Sequence, residues 1–170
     1  RRQRQMCIRD SQTREALAAL VGDGFAILKV GPGLTFMLRQ ALYGLDAIAE
    51  ELFPGRRPRR LRDTMEAVML DAPRNWDRYY HGTEAEQALQ RHFSYSDRIR
   101  YYWPQPEAEQ AVTELFALLD GIDLPETLVA QYLGGLYPEV RAGRLPSRAR
   151  DLALAAVQGL VQDYVAACCP

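Results

Sequence analysis

The sequence predicts the closing end of an α/β domain followed by an all-helical extension, so this stretch of chain should be mostly helical. Two observations carry that expectation. Between Thr13 and Leu52 a helix, a buried strand, a glycine turn and a second helix succeed one another, the order of one α/β repeat. From Leu61 onward apolar residues recur at helical spacing with no second convincing strand. With 48% hydrophobic and 25% charged residues in 170, the chain has enough apolar material for one sizeable core.

Residues 1–11 (RRQRQMCIRDS) match no structural template: four arginines, no apolar period. They read as translated sequencing-adapter read-through, the alternative being a disordered basic arm, and they are set apart from the fold. Residues 12–53 are expected to be the last strand–helix unit of a sheet or barrel. The run from Thr13 to Val21 reads as a short helix stopped by Gly22, Asp23 and Gly24. Phe25 to Val30 (FAILKV) is apolar on both faces and reads as a buried strand, as in a parallel sheet. Its partner strands are expected in chain that precedes this stretch. After Gly31-Pro32-Gly33 a long amphipathic helix carries Leu34, Leu38, Ala41, Leu42, Leu45, Ile48 and Leu52.

Residues 54–170 are expected to be the helical extension. Arg56 to Arg62 forms a basic, proline-broken loop, read as a solvated turn pairing with acids such as Asp63 and Glu66, the alternatives being a phosphate-binding cluster or, more remotely, a nucleic-acid contact. A helix is predicted over Glu107 to Asp120, and another with Pro125 in its first turn, broken at Gly134-Gly135 and Pro138. The last is predicted to start after Pro146 with Ser147 as N-cap.

A net charge of −1 offers no global attraction to nucleic acid or acidic membrane. Cys7, Cys168 and Cys169 form neither a disulfide framework nor a C-x-x-C pair, which fits a reducing, cytoplasmic setting. No apolar run approaches the ~20 residues that span a bilayer.

Three features bear on chemistry. The turn at Lys29, Gly31 and Gly33 precedes a helix N-terminus, whose free amides and dipole suit a phosphate; the alternative is a purely structural turn. The stretch Tyr95, Ser96, Asp97, Arg98, Ile99, Arg100, Tyr101, Tyr102, Trp103 interleaves aromatics with arginines. It reads either as packing or as a partner interface, with nucleic-acid stacking a remote third use. His81 and His92 are too far apart for an i, i+4 metal pair, and no H-E-x-x-H, C-x-x-C or G-x-S-x-G motif occurs, so neither catalytic residues nor metal ligands are assigned.

Several of these segments carry a resemblance. FAILKVGPGLTF (Phe25 to Phe36), EAVML (Glu66 to Leu70) with Trp76, Tyr79, Tyr80, His81 and Gly82, and above all YSDRIRYYWP (Tyr95 to Pro104) resemble the C-terminal part of the non-catalytic subunits of class II D-tagatose-1,6-bisphosphate aldolase. Gln131-Tyr132-Leu133, Tyr137, Val140-Arg141, Gly143 and Leu145 continue the pattern, which departs at Gly134, where relatives tend to carry proline. The resemblance implies that residues 12–53 close a TIM-barrel-like (β/α)8 fold. It implies an accessory role in galactitol or N-acetylgalactosamine catabolism, beside a catalytic class II subunit that holds the zinc and performs the aldol cleavage. An independent sugar-phosphate enzyme, with its catalytic residues in earlier chain, is the alternative. Older usage called this family a tagatose-6-phosphate kinase, but the phosphate loop G-x-x-x-x-G-K-[ST] does not occur in this sequence.

Overall fold

The computed structural model describes residues 13–25, 28, 30–56 and 60–168. Among them the regular elements are helices: α1 (Arg14–Gly22), α2 (Gly33–Leu52), α3 (Leu61–Asp71), α4 (Glu84–Phe93), α5 (Pro106–Leu118), α6 (Glu126–Tyr132), α7 (Tyr137–Arg141) and α8 (Ala149–Cys168). Two single 3-10 turns, Pro73–Asn75 and Arg98–Tyr101, join α3 to α4 and α4 to α5.

The long helix α2 is the axis of the assembly. It packs along α8 and also touches α3, α5 and α6, while α1 lies against α8 and α3 against α4 and α5. Its apolar stripe explains this: Ala41, Leu42, Leu45, Ile48 and Ala49 are all buried. Met65 and Met69 of α3, Leu115 of α5, Val129 of α6 and Leu152 of α8 close on it as one cluster. Each fully buried large aliphatic contributes roughly 1.5–3 kcal/mol over exposure. Gly44 lets α6 come close, since a Cβ there would sit 2.5 Å from Leu133 Cδ2 and 2.8 Å from the Tyr132 carbonyl.

Local chemistry sets the helix ends. Thr83 caps α4 through a reciprocal box with Glu86, satisfying two amides that the first turn leaves open. Pro106 begins α5, where its missing N–H costs nothing. α2 stops at Phe53, and Gly55 takes a positive φ of 70° in the turn that follows.

Several expectations need correction. Of the predicted strand, Ala26, Ile27 and Lys29 lie outside the described residues, while Phe25, Leu28 and Val30 adopt no strand. Strand geometry is stabilised by pairing, and no second strand exists among the described residues to supply it. The predicted helix at Pro125 begins one residue later, with Pro125 as its N-cap. Ser147 does not cap α8: the first turn closes from Leu152 N–H to the Arg148 carbonyl, and the Ser147 carbonyl accepts from Leu124 N–H at 2.8 Å. The break at Gly134-Gly135 does fall between α6 and α7, as expected.

Candidate functional site

The most structured polar region lies where α2, the start of α3 and the end of α4 converge. Phe36, Arg39 and Tyr43 share one face of α2, spaced three and four residues apart. Arg60 and Arg62 approach from the start of α3, Phe93 from the end of α4, and Tyr95 from the segment after it. Together with Asp46 and Tyr132 they line an open groove of about 540 Å³.

Two ion-pair systems underlie this groove. In the first, Arg39 Nε donates to Asp97 Oδ1 at 2.7 Å, with both side chains buried. The Arg39 guanidinium also covers the Phe36 ring at 4.4 Å, and Phe36 stacks on Tyr95 with centroids 5.4 Å apart. Asp97 adopts left-handed geometry with φ 45°, which Asp tolerates better than most residues. Arg39 Nη2 and Asp97 Oδ2 have no hydrogen-bond partner among the described residues.

In the second, Glu66 of α3 accepts from Arg91 Nε and Nη2 of α4, the shortest contact being 2.5 Å, and Arg91 also reaches Glu84 at 2.8 Å. His92 stands beside it, its Nε2 3.0 Å from Glu66 and its Nδ1 2.7 Å from the Tyr43 hydroxyl. Burial disfavours the imidazolium most, and the Arg62 and Arg91 charges oppose it further; the Glu66 carboxylate only partly compensates, so the pKa falls to about 4. A neutral imidazole in this setting donates Nε2–H to Glu66 and accepts the Tyr43 proton at Nδ1. Burial raises the Tyr43 phenol above its ordinary range, against the fields of Arg39 and Arg62. Burial alone would raise the Glu66 carboxyl too, but the Arg91 hydrogen bonds and neighbouring charge hold it below the ordinary carboxylate value.

The Tyr95 to Trp103 stretch divides between burial and exposure. Ile99 and Tyr102 are in the core, with the Tyr102 hydroxyl donating to the Ala72 carbonyl. Ser96 bonds the Tyr80 hydroxyl, Arg98 reaches the Asn75 carbonyl at 2.7 Å, and Arg100 reaches the Ser96 and Asp97 carbonyls. Trp103 is half-buried, and its indole N–H has no partner among the described residues. Tyr95 and Tyr101 face outward at 64% and 45% exposure. Much of the stretch is thus a knot that ties α4 to α3 and α5.

The glycine turn stands apart from the groove. Gly33 is buried at the first position of α2 and Gly31 precedes it, while Lys29 lies outside the described residues. The arginine loop does not pair as expected. Arg57 and Arg59 lie outside the described residues, Arg60 approaches Asp46 at 3.6 Å, and Arg62 lies over the Phe93 ring at 5.3 Å. Glu66 is instead held by Arg91 and His92. Arg39, Tyr43, Glu66 and His92 carry no local motif, and only the i, i+4 spacing of Arg39 and Tyr43 hinted that they share a face. Among the described residues no three His, Cys, Asp or Glu side chains come together as a metal site. No described helix is long and apolar enough to cross a membrane.

A family model described as D-tagatose-1,6-bisphosphate aldolase subunit GatZ/KbaZ-like matches residues 7–169. The chain belongs to this family. Among its relatives is a protein of Agrobacterium fabrum named D-tagatose 6-phosphate 4-epimerase, 53% identical over 158 residues, or 93% of this chain. A crystal structure from Sinorhizobium meliloti 1021, named as a probable tagatose 6 phosphate kinase, superposes with a TM-score of 0.92 at 63% identity over 94% of this chain. The chain spans 36% of the length of the first relative and 41% of the second. The names of both relatives concern phosphorylated tagatose.

Proposed function

We propose that the complete protein is a sugar-phosphate enzyme acting on D-tagatose 6-phosphate as a 4-epimerase, with this region as its C-terminal helical part. The observation that carries the reading is the 53% identity to the Agrobacterium fabrum relative across 93% of the chain. Residues 12–53 would then adjoin a TIM-barrel-like domain whose strands precede this stretch, with the reacting groups in that earlier chain. A phosphorylated substrate, retained inside the cell by its charge, fits a cytoplasmic setting.

A second reading is favoured by the family description itself, which names an aldolase subunit. In it the protein is a non-catalytic partner that supports a zinc-dependent class II tagatose-1,6-bisphosphate aldolase in galactitol or N-acetylgalactosamine catabolism. The exposed Tyr95 and Tyr101 would contribute to that hetero-oligomeric contact, aromatic residues being enriched at such surfaces.

One experiment separates the two. The complete protein is purified and given tagatose 6-phosphate, with formation of its C4 epimer, fructose 6-phosphate, followed. It is then co-expressed with a class II aldolase subunit and assayed on tagatose 1,6-bisphosphate. Epimer formation by the protein alone supports the first reading. Activity only in the pair, with Tyr101→Ser weakening co-purification, supports the second. Inactivity in both arms would remove both.

A further inference from the structure

The groove between α2, α3 and α4 has a composition that neither packing nor the glycine turn explains. Three guanidinium groups, those of Arg39, Arg60 and Arg62, line it. Among the described residues Asp97 pairs with Arg39, Asp46 approaches Arg60 at 3.6 Å while accepting the Leu61 N–H at 3.0 Å, and Glu51 accepts from the Tyr132 hydroxyl at 2.8 Å. Arg62 has no acidic partner within ion-pair distance among the described residues; its contact is the face of Phe93. Arg39, almost fully buried, leaves Nη2 without a partner among the described residues.

The geometry points to an anion subsite here, whose ligand is the phosphate group of a small phosphate monoester. The Arg62 guanidinium, with no acidic partner among the described residues, favours an anion, and guanidinium groups offer paired donors that match phosphate oxygens. The aromatic wall of Phe36, Phe93 and Tyr95 gives the rest of the ligand an apolar face, suited to the C–H side of a sugar ring. Tyr43 adds a polar atom: its proton is engaged by His92, so its oxygen lone pairs remain available to a ligand hydroxyl. The volume of about 540 Å³ lies within the range of small-molecule sites. The subsite rests on the proposed sugar-phosphate reading only for which ester occupies it.

Inorganic phosphate is the first probe, titrated calorimetrically into the complete protein and into Arg62→Gln and Arg62→Lys. Arg62 is exposed, so neither substitution threatens the core. Arg62→Gln should weaken one class of phosphate binding about tenfold or more, the effect of losing one charged hydrogen-bonding group, and Arg62→Lys should restore part of it. Phosphate should also slow phenylglyoxal modification of Arg62, read by peptide mass mapping, where chloride at equal ionic strength does not. Unchanged binding in Arg62→Gln, or no protection of Arg62, overturns the subsite. The source of the ester is read separately: a raised KM for tagatose 6-phosphate in Arg62→Gln identifies the substrate itself. An unchanged KM with lost phosphate binding identifies a different phosphate ester at a site apart from the reaction. Absence of turnover would count against the proposed activity while leaving the phosphate titration readable.

Discussion

Arg39 and Asp97, 58 positions apart, meet at 2.7 Å and tie the second turn of α2 to the left-handed kink that follows α4. The pair fixes where the Tyr95 to Trp103 knot sits on the central helix. Removing one member leaves a buried charge with no compensation. Asp97→Ala should therefore cost about 3–5 kcal/mol of unfolding free energy. The double variant Arg39→Met, Asp97→Ala should lose clearly less than the sum of its two single changes, because no lone charge remains. Denaturant unfolding of all four proteins checks this; strict additivity would mean that the pair is not coupled.

Acid stability should depend on His92. Its pKa in the folded protein is about 4 against an ordinary value of 6.5, since the site is buried and flanked by Arg62 and Arg91. Above pH 6.5 the imidazole is neutral in folded and unfolded chains alike, and the group imposes no penalty. Between 6.5 and 4 the unfolded chain takes up a proton that the folded one does not, so stability falls as pH falls. The loss reaches at most about 3 kcal/mol near pH 4. Glu66, held below its ordinary value, adds a loss of the same sign at the acid end. His92→Gln should flatten a plot of Tm against pH between 6.5 and 4, and an unchanged slope would remove His92 as the cause.

Gly44 allows α2 and α6 to approach. In Gly44→Ala the new methyl would overlap Leu133 and the Tyr132 carbonyl, and backbone gives way less easily than a side-chain end. A loss of roughly 1–3 kcal/mol is expected, visible as a lowered Tm. Gly22→Ala, where no atom lies within 4 Å of the added carbon, should lack this penalty and serves as the control.

The capping box at Thr83 should be worth about 1 kcal/mol. Thr83→Ala leaves the Glu86 N–H without its side-chain acceptor, whereas Thr83→Ser keeps it. Hydrogen exchange in the first turn of α4 should speed up in the alanine variant alone.

Much of this architecture is legible in the sequence because it is local. The apolar period of α2, the stop at Gly22 to Gly24, the proline at the start of α5 and the break at Gly134-Gly135 each depend on a few neighbouring residues, whose backbone preferences act wherever the chain is placed. The family is legible for a related reason: the Tyr95 to Pro104 run is a dense, ordered set of uncommon residues. What proximity in sequence does not encode was decided by packing. Nothing local says that Glu66 answers Arg91 and His92 instead of the arginines beside it, or that Asp97 reaches back to Arg39. Burial then gives these contacts their character, turning an ordinary histidine into a neutral one and an unremarkable arginine into half of a buried ion pair. Helices follow from nearest-neighbour chemistry, whereas the charge pattern of the groove exists only once α2, α3 and α4 exclude water from one another.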